Sequence, residues 1–170
     1  MADDTLARLA ESRQFIGLRD ATGDMARPRR LQPLLPPGFR LLSGDDDATL
    51  GFLVNGGGGC ISATSNVAPL LCQAMFASCG QERLQSARYL QNRLAPLTAA
   101  LAQDNPAAMK YALFLLGLMR PNTRLPIVEL ADAAKAQVES AVAGIRDQEA
   151  AWPSERWARL RSHVGSVAVP

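Results

Sequence analysis

Several residues in this chain have the types and spacing to do chemistry. Arg19 closes an apolar run, Phe15-Ile16-Gly17-Leu18, and stands beside Asp20. Its guanidinium offers a planar fork of donors that could bind a carboxylate, but a structural pairing with Asp20, Asp45 or another rim acid is the favoured reading. Asp45, Asp46 and Asp47 are adjacent. Such a triplet can hold a divalent cation, but after a strand it more commonly caps the free amides of the next helix. The glycines at 56–59 precede an apolar run and lack the Lys-Ser/Thr ending of a phosphate loop, so they read as a turn. Cys60, Cys72 and Cys79 are odd in number and show no CxxC spacing, which reads as reduced thiols filling apolar space. His163, the single histidine, has no cysteine or acid nearby and is read as non-catalytic.

The rest of the chemistry is bounded by composition. Eighteen basic against 16 acidic residues leave a net charge of +2, too small a bias for a nucleic-acid footprint. Only Lys110 and Lys135 are lysines, so the other 16 basic residues are arginine. The start of the chain is polar and helical in pattern rather than a signal peptide. The longest apolar stretches fall short of a membrane span. A reducing, cytoplasmic setting follows as the expectation.

The elements that must position these residues alternate at first. A helix over 4–12 leads into a strand at 15–18. An Arg- and Pro-rich stretch, 27–38, holds a short helix before Pro36-Pro37-Gly38 breaks it. A second strand at 39–43 is followed by a helix beginning near Asp46 or Asp47, with Leu50, Leu53 and Val54 inward. A third strand, 60–63, leads to a helix with Val67, Leu70, Leu71 and Met75 inward. Strand and helix in alternation with short connections predict a parallel sheet, and nearly continuous apolar strands predict cover on both faces. Beyond Gly80 only helices are predicted. Leu84, Ala87, Leu90, Leu94, Leu97 and Leu101 make 82–102 amphipathic. A helix from Asn105-Pro106 turns Met109, Ala112, Leu113 and Leu116 inward, and another covers 129–145. In the tail from 146, Trp152 and Trp157 either anchor a partner or pack back onto the chain. Three regions result: 1–80, 81–145 and 146–170.

Five stretches, in order, carry a resemblance. They are Gly17-Leu18-Arg19-Asp20-Ala21-Thr22-Gly23-Asp24, Leu41-Leu42-Ser43-Gly44-Asp45-Asp46, and Gly59-Cys60-Ile61-Ser62-Ala63-Thr64-Ser65-Asn66-Val67-Ala68-Pro69, then Asn105-Pro106-Ala107-Ala108-Met109-Lys110 and Arg124-Leu125-Pro126. Over roughly residues 4–145 the chain resembles the C-terminal half of the dihydrodipicolinate synthase and N-acetylneuraminate lyase family. The resemblance implies an α/β fold: the last three strands of a (β/α)8 TIM barrel, followed by the family's C-terminal helices.

Barrel active sites lie at the C-terminal ends of strands, so Arg19, Gly44, Asp45 and residues 62–66 would line one rim. In the enzymes that this chain resembles, a lysine at the Arg19 position forms a Schiff base with pyruvate. A guanidinium keeps its charge and offers no amine lone pair, so no imine is expected here. Gly44 and Ile61 match positions that approach pyruvate. The family's carboxylate-binding threonine pair and proton-relaying tyrosines lie upstream of the matched half, and Tyr89 and Tyr111 do not match them. Neither a metal nor a cofactor is implied. The expected function is therefore a lyase or aldolase homologue that is catalytically silent alone. The alternatives are an interaction subunit, self-associating or paired with a full-length relative, and residual lyase action on a 2-oxo acid without an imine. A small pyruvate-like acid is the implied ligand, with no nucleic acid and no membrane as partner.

Overall fold

A computed structural model describes residues 1–103 and 106–149. Trp152, Trp157 and His163 lie outside the described residues. In chain order the elements are α1 (Asp3–Ala10), β1 (Gly17–Asp20), α2 (Arg27–Leu31) with a 3-10 turn at Gln32–Leu34, β2 (Arg40–Ser43), α3 (Thr49–Val54), and β3 (Gly59–Cys60). There follow a 3-10 turn at Thr64–Asn66, α4 (Pro69–Gly80), α5 (Leu84–Gln103), α6 (Ala107–Leu115), α7 (Asp132–Ala143) and α8 (Arg146–Glu149). No described helix is long and apolar enough to cross a membrane.

The three strands form one parallel sheet in the order β1-β2-β3, as the alternating pattern predicts. Their limits differ from expectation. β1 begins at Gly17 rather than Phe15, and β3 stops at Cys60 rather than Ala63. Phe15 and Ile16 are exposed, so the apolar run marks the approach to the strand rather than its buried length.

Two compact units divide the described chain. One comprises residues 1–62 and 75–88, the other residues 63–74 and the chain from Tyr89 onward. In the first unit Leu6, Leu31, Leu41 and Phe52 form a core, with Leu18, Leu35 and Phe39 packed against it. Burying a side chain such as Phe52 contributes about 1.5–3 kcal/mol. Side chains alternate across a strand, so Leu18 and Leu41 turn to the helices while Gly17, Arg19, Arg40 and Leu42 turn to the other face. That second face is open: Gly17, Arg19 and Arg40 are exposed and Leu42 is half-buried. The expectation of cover on both faces is thus corrected. The apolar strand residues identify the core side but cannot say what lies on the other.

On α3 the buried residues are Thr49 and Phe52, whereas Leu50 and Leu53 are half-buried and Val54 is exposed. The helix starts later than predicted, which rotates its inward face. The chain then reverses through Gly56, at φ +96°, a conformation open to glycine without Cβ strain. Gly57 lies against the Phe52 ring, where a methyl group would stand 2.3 Å from Cδ1. The glycine run is a turn packed under that core residue.

In the second unit α6 packs on α7, with Ala107, Ala108, Ala112, Leu130, Val138, Ala141, Val142 and Ile145 buried. Leu94, Leu97 and Leu101 of α5 are buried here as the periodicity predicts, while of the α5 residues that belong to the first unit Ala87 is buried and Leu84 exposed. Gly117, at φ +71°, closes α6.

Candidate functional site

The carboxyl ends of β1 and β2 bring Arg19 and Gly44 together. Arg19 pairs in register with Leu42, so its side chain rises on the open face toward the residue that ends the strand. Nη2 donates to the Gly44 carbonyl oxygen at 2.9 Å. A methyl group at position 44 would stand 2.8 Å from Arg19 Cζ, 3.0 Å from Nε and 3.1 Å from Ala21 Cβ. Only the missing Cβ lets the guanidinium lie this close to the backbone. Arg19 forms no ion pair among the described residues. The expected pairing with Asp20 or Asp45 is therefore corrected: the arginine meets a carbonyl instead.

Asp20 points to the helix face, in register with Ser43, and is engaged there. Its Oδ2 accepts from Arg27 Nη1 at 3.1 Å, and both side chains are almost wholly buried. Oδ1 accepts from the Thr22 amide at 2.9 Å. Arg27 also donates through Nε to Asp3 Oδ1 at 2.9 Å and through Nη2 to the Met1 carbonyl at 2.7 Å. Arg30 joins the cluster through Asp24 at 2.7 Å, and this hydrogen bond holds the Asp24 carboxyl below the ordinary carboxylate range. The turn from Asp20 to Asp24 is thus pinned by two arginines. Sequence reading missed Arg27, which looked like one of several arginines in a Pro-rich stretch. The available signal was an Arg-Pro step opening a helix one short turn beyond a strand-end acid.

The expected capping of this helix by Asp46 or Asp47 is corrected: α3 begins after Ala48 with no side-chain cap, and Asp45 instead closes the turn that precedes it. Its Oδ1 accepts from the Asp47 amide at 3.0 Å and the Ala48 amide at 3.2 Å. Burial, then the neighbouring carboxylates, pushes Asp47 upward. No three His, Cys, Asp or Glu side chains converge as a metal-binding group among the described residues.

Cys60 lies in a polar cluster rather than an apolar gap. Thr49 Oγ1 donates to its Sγ at 3.2 Å and lies 2.7 Å from the Asp45 carbonyl oxygen and 3.3 Å from Ser43 Oγ. Burial pushes the Cys60 thiol up, against the lowering effect of the Thr49 hydroxyl, so the protonated form is favoured. Cys60, Cys72 and Cys79 are all free.

Ile61 follows β3, and its amide donates to the Ser43 carbonyl at 2.8 Å. The side chain is 51% exposed. The first unit therefore sets Arg19 on Gly44 and leaves Ile61 open.

The second unit holds a groove of about 580 Å³ lined by Tyr111, Phe114, Leu125, Val128, Glu129 and Lys135, among others. Tyr111 Oη donates to Glu139 Oε1 at 2.5 Å, which raises the phenol. Lys135 donates to Glu129 at 2.7 Å. Both groups are engaged within the protein.

The whole of this arrangement falls within one family pattern. Residues 1–145 match the model of the dihydrodipicolinate synthetase family. The chain belongs to that family. It is 43% identical over 146 residues to the 4-hydroxy-tetrahydrodipicolinate synthase of Acidiphilium cryptum (strain JF-5), covering 85% of this chain and 50% of that protein. Among solved structures, the 4-hydroxy-tetrahydrodipicolinate synthase of Methylacidiphilum fumariolicum SolV is similar, with a TM-score of 0.81 and 32% identity over 88% of this chain and 50% of that one. The chloride-inhibited dihydrodipicolinate synthase of Acinetobacter baumannii, complexed with pyruvate, aligns with a TM-score of 0.78 and 33% identity over 84% of this chain and 50% of that one. The chain spans about half the length of the relatives it matches. Its parallel sheet and helices have the fold of the matched portion of these family structures.

Proposed function

We propose that this member of the dihydrodipicolinate synthetase family is catalytically silent by itself. Residues 1–80 represent the last three βα units of the family barrel, 81–145 its C-terminal helices and 146–170 an additional tail. Arg19 occupies the position of the Schiff-base lysine, and Gly44 and Ile61 occupy pyruvate-contact positions.

The observation that carries this reading is the placement of Arg19 on Gly44 at 2.9 Å. An imine needs a neutral amine. A guanidinium stays charged and has no such lone pair. Here it also spends a donor on the carbonyl of the glycine whose backbone would approach the substrate. The threonine pair and tyrosines of the family have no counterparts in the matched stretch, and Tyr89 and Tyr111 do not take their place. Treating the protein with pyruvate and borohydride, then weighing it intact, tests the reading. No pyruvate-sized increment is expected, and an increment on this chain overturns it.

A further inference from the structure

The tail beyond α8 carries both tryptophans of the chain, Trp152 and Trp157, and its sequence offers one apolar stripe. Pro153 suits the first position of a helix. From there Trp157, Leu160 and Val164 recur at steps of three and four residues, the spacing of one helical face. Glu155, Arg159 and Ser162 fall opposite. Such a stripe gains free energy only where a surface takes it out of water.

The second unit has a surface that fits. A groove of about 820 Å³ runs between α5 and α7. Its walls are short and exposed: Pro96 and Ala99 from α5, and Ala136, Ser140 and Gly144 from α7. Ala136 to Gly144 covers about 12 Å of helix, the same rise as eight residues of a helical tail. The groove ends at Ile145, and only six residues separate Ile145 from Trp152. A reversal within those six lays the tail antiparallel to α7. The groove also offers a backbone acceptor. Pro96 lies inside α5 and has no N–H, so the Asn92 carbonyl one turn earlier lacks its intrahelical donor. Asn92 lines the same groove. An indole N–H is a donor that needs such a partner once its ring is buried.

We infer that residues 152–164 of this chain dock as a helix in the α5–α7 groove, with Trp157 and Leu160 seated against Pro96, Ala99 and Ala136. Size and position select this occupant over a second copy. Eleven residues line the groove, whereas a stable interface between proteins takes roughly 20–30 a side. A tethered segment needs less, because its effective concentration is of roughly millimolar order. The tail lies beyond the family match at residues 1–145, so the contact is independent of the family's reaction and of catalytic silence.

Because both tryptophans lie in the tail, intrinsic emission of the full chain reports on the tail alone. The native chain should emit at shorter wavelength than the chain in urea and resist quenching by acrylamide. Ala136→Arg with Ser140→Arg fills the groove at two exposed helical positions. That variant should move the emission to the urea value and raise acrylamide quenching several-fold, with the far-ultraviolet circular dichroism unchanged. Ala99→Arg fills the groove from α5, should act alike, and decides the matter if the α7 variant loses helix. Native emission already at the urea value overturns the inference. Shielded emission that both groove variants leave unchanged overturns it too, since the tail then packs elsewhere. Shielding that is lost on serial dilution, as light scattering shows copies separating, overturns the choice of the chain's own tail over a second copy.

Discussion

Arg19 Nη2 donates to the Gly44 carbonyl oxygen at 2.9 Å, with the guanidinium carbon lying where a Cβ at position 44 would intrude to 2.8 Å. Position 19 and position 44 are therefore coupled: the arginine can rest there only while residue 44 lacks a side chain.

That coupling separates two glycine substitutions. Gly44→Ala meets the far end of a flexible, exposed side chain, which can swing away, and Ala21 Cβ at 3.1 Å, which need give only slightly, so it should cost about 1 kcal/mol or less. Gly17→Ala meets the Arg40 carbonyl oxygen at 2.5 Å. Backbone cannot yield in the same way, and the expected cost is about 1–3 kcal/mol. Urea midpoints of the two variants check the order. Equal midpoints would contradict the close approach of β1 to β2.

The buried Asp20–Arg27 pair predicts a larger loss. Asp20→Ala strands a guanidinium that is almost fully buried and frees the Thr22 amide. The loss should be about 3 kcal/mol, the low end for a broken buried pair, because Asp3 and the Met1 carbonyl still hold Arg27. Arg30→Ala removes only exposed pairs and should cost far less. Denaturant titration of both variants tests the contrast.

Cys60 predicts a pH dependence. Burial raises its thiol above the ordinary value, so the folded state holds the proton more tightly than the unfolded chain. The resulting stabilisation is complete below the ordinary thiol value and is lost as pH rises through the raised one. Iodoacetamide should label Cys60 more slowly in the folded protein than in urea at pH 8, as read by peptide mass spectrometry. Cys60→Ala should reduce the loss of stability at alkaline pH. A folded-state labelling rate equal to that in urea would refute the assignment.

Much of this was legible beforehand, for physical reasons. A parallel sheet follows from alternating apolar runs with short connections, and the long α5 stripe at Ala87, Leu94, Leu97 and Leu101 follows from helical periodicity. The order of the motifs identified the family. What escaped is tertiary. Periodicity could not reveal that Phe52, rather than Leu53 or Val54, is the inward residue of α3, because one displaced helix start rotates the whole face. Nor could adjacency along the chain tell which acid meets which arginine. Asp20 is next to Arg19 in sequence, yet alternation along β1 sends the two to opposite faces and gives Asp20 to Arg27.

Arg19→Lys isolates the contribution of position 19. On the proposed reading, a lysine supplies the amine of an imine but none of the other groups that the reaction needs. Turnover of pyruvate by this variant alone is expected to stay at background in an aldol-addition assay. Measurable turnover would show that this chain assembles a working site by itself.

The central claim is met most directly by borohydride trapping of the unaltered chain with pyruvate, run beside the Acidiphilium cryptum relative and followed by intact mass. The account predicts a pyruvate-sized increment on the relative and none on this chain. An increment on this chain, mapped to any residue of the rim, would contradict it.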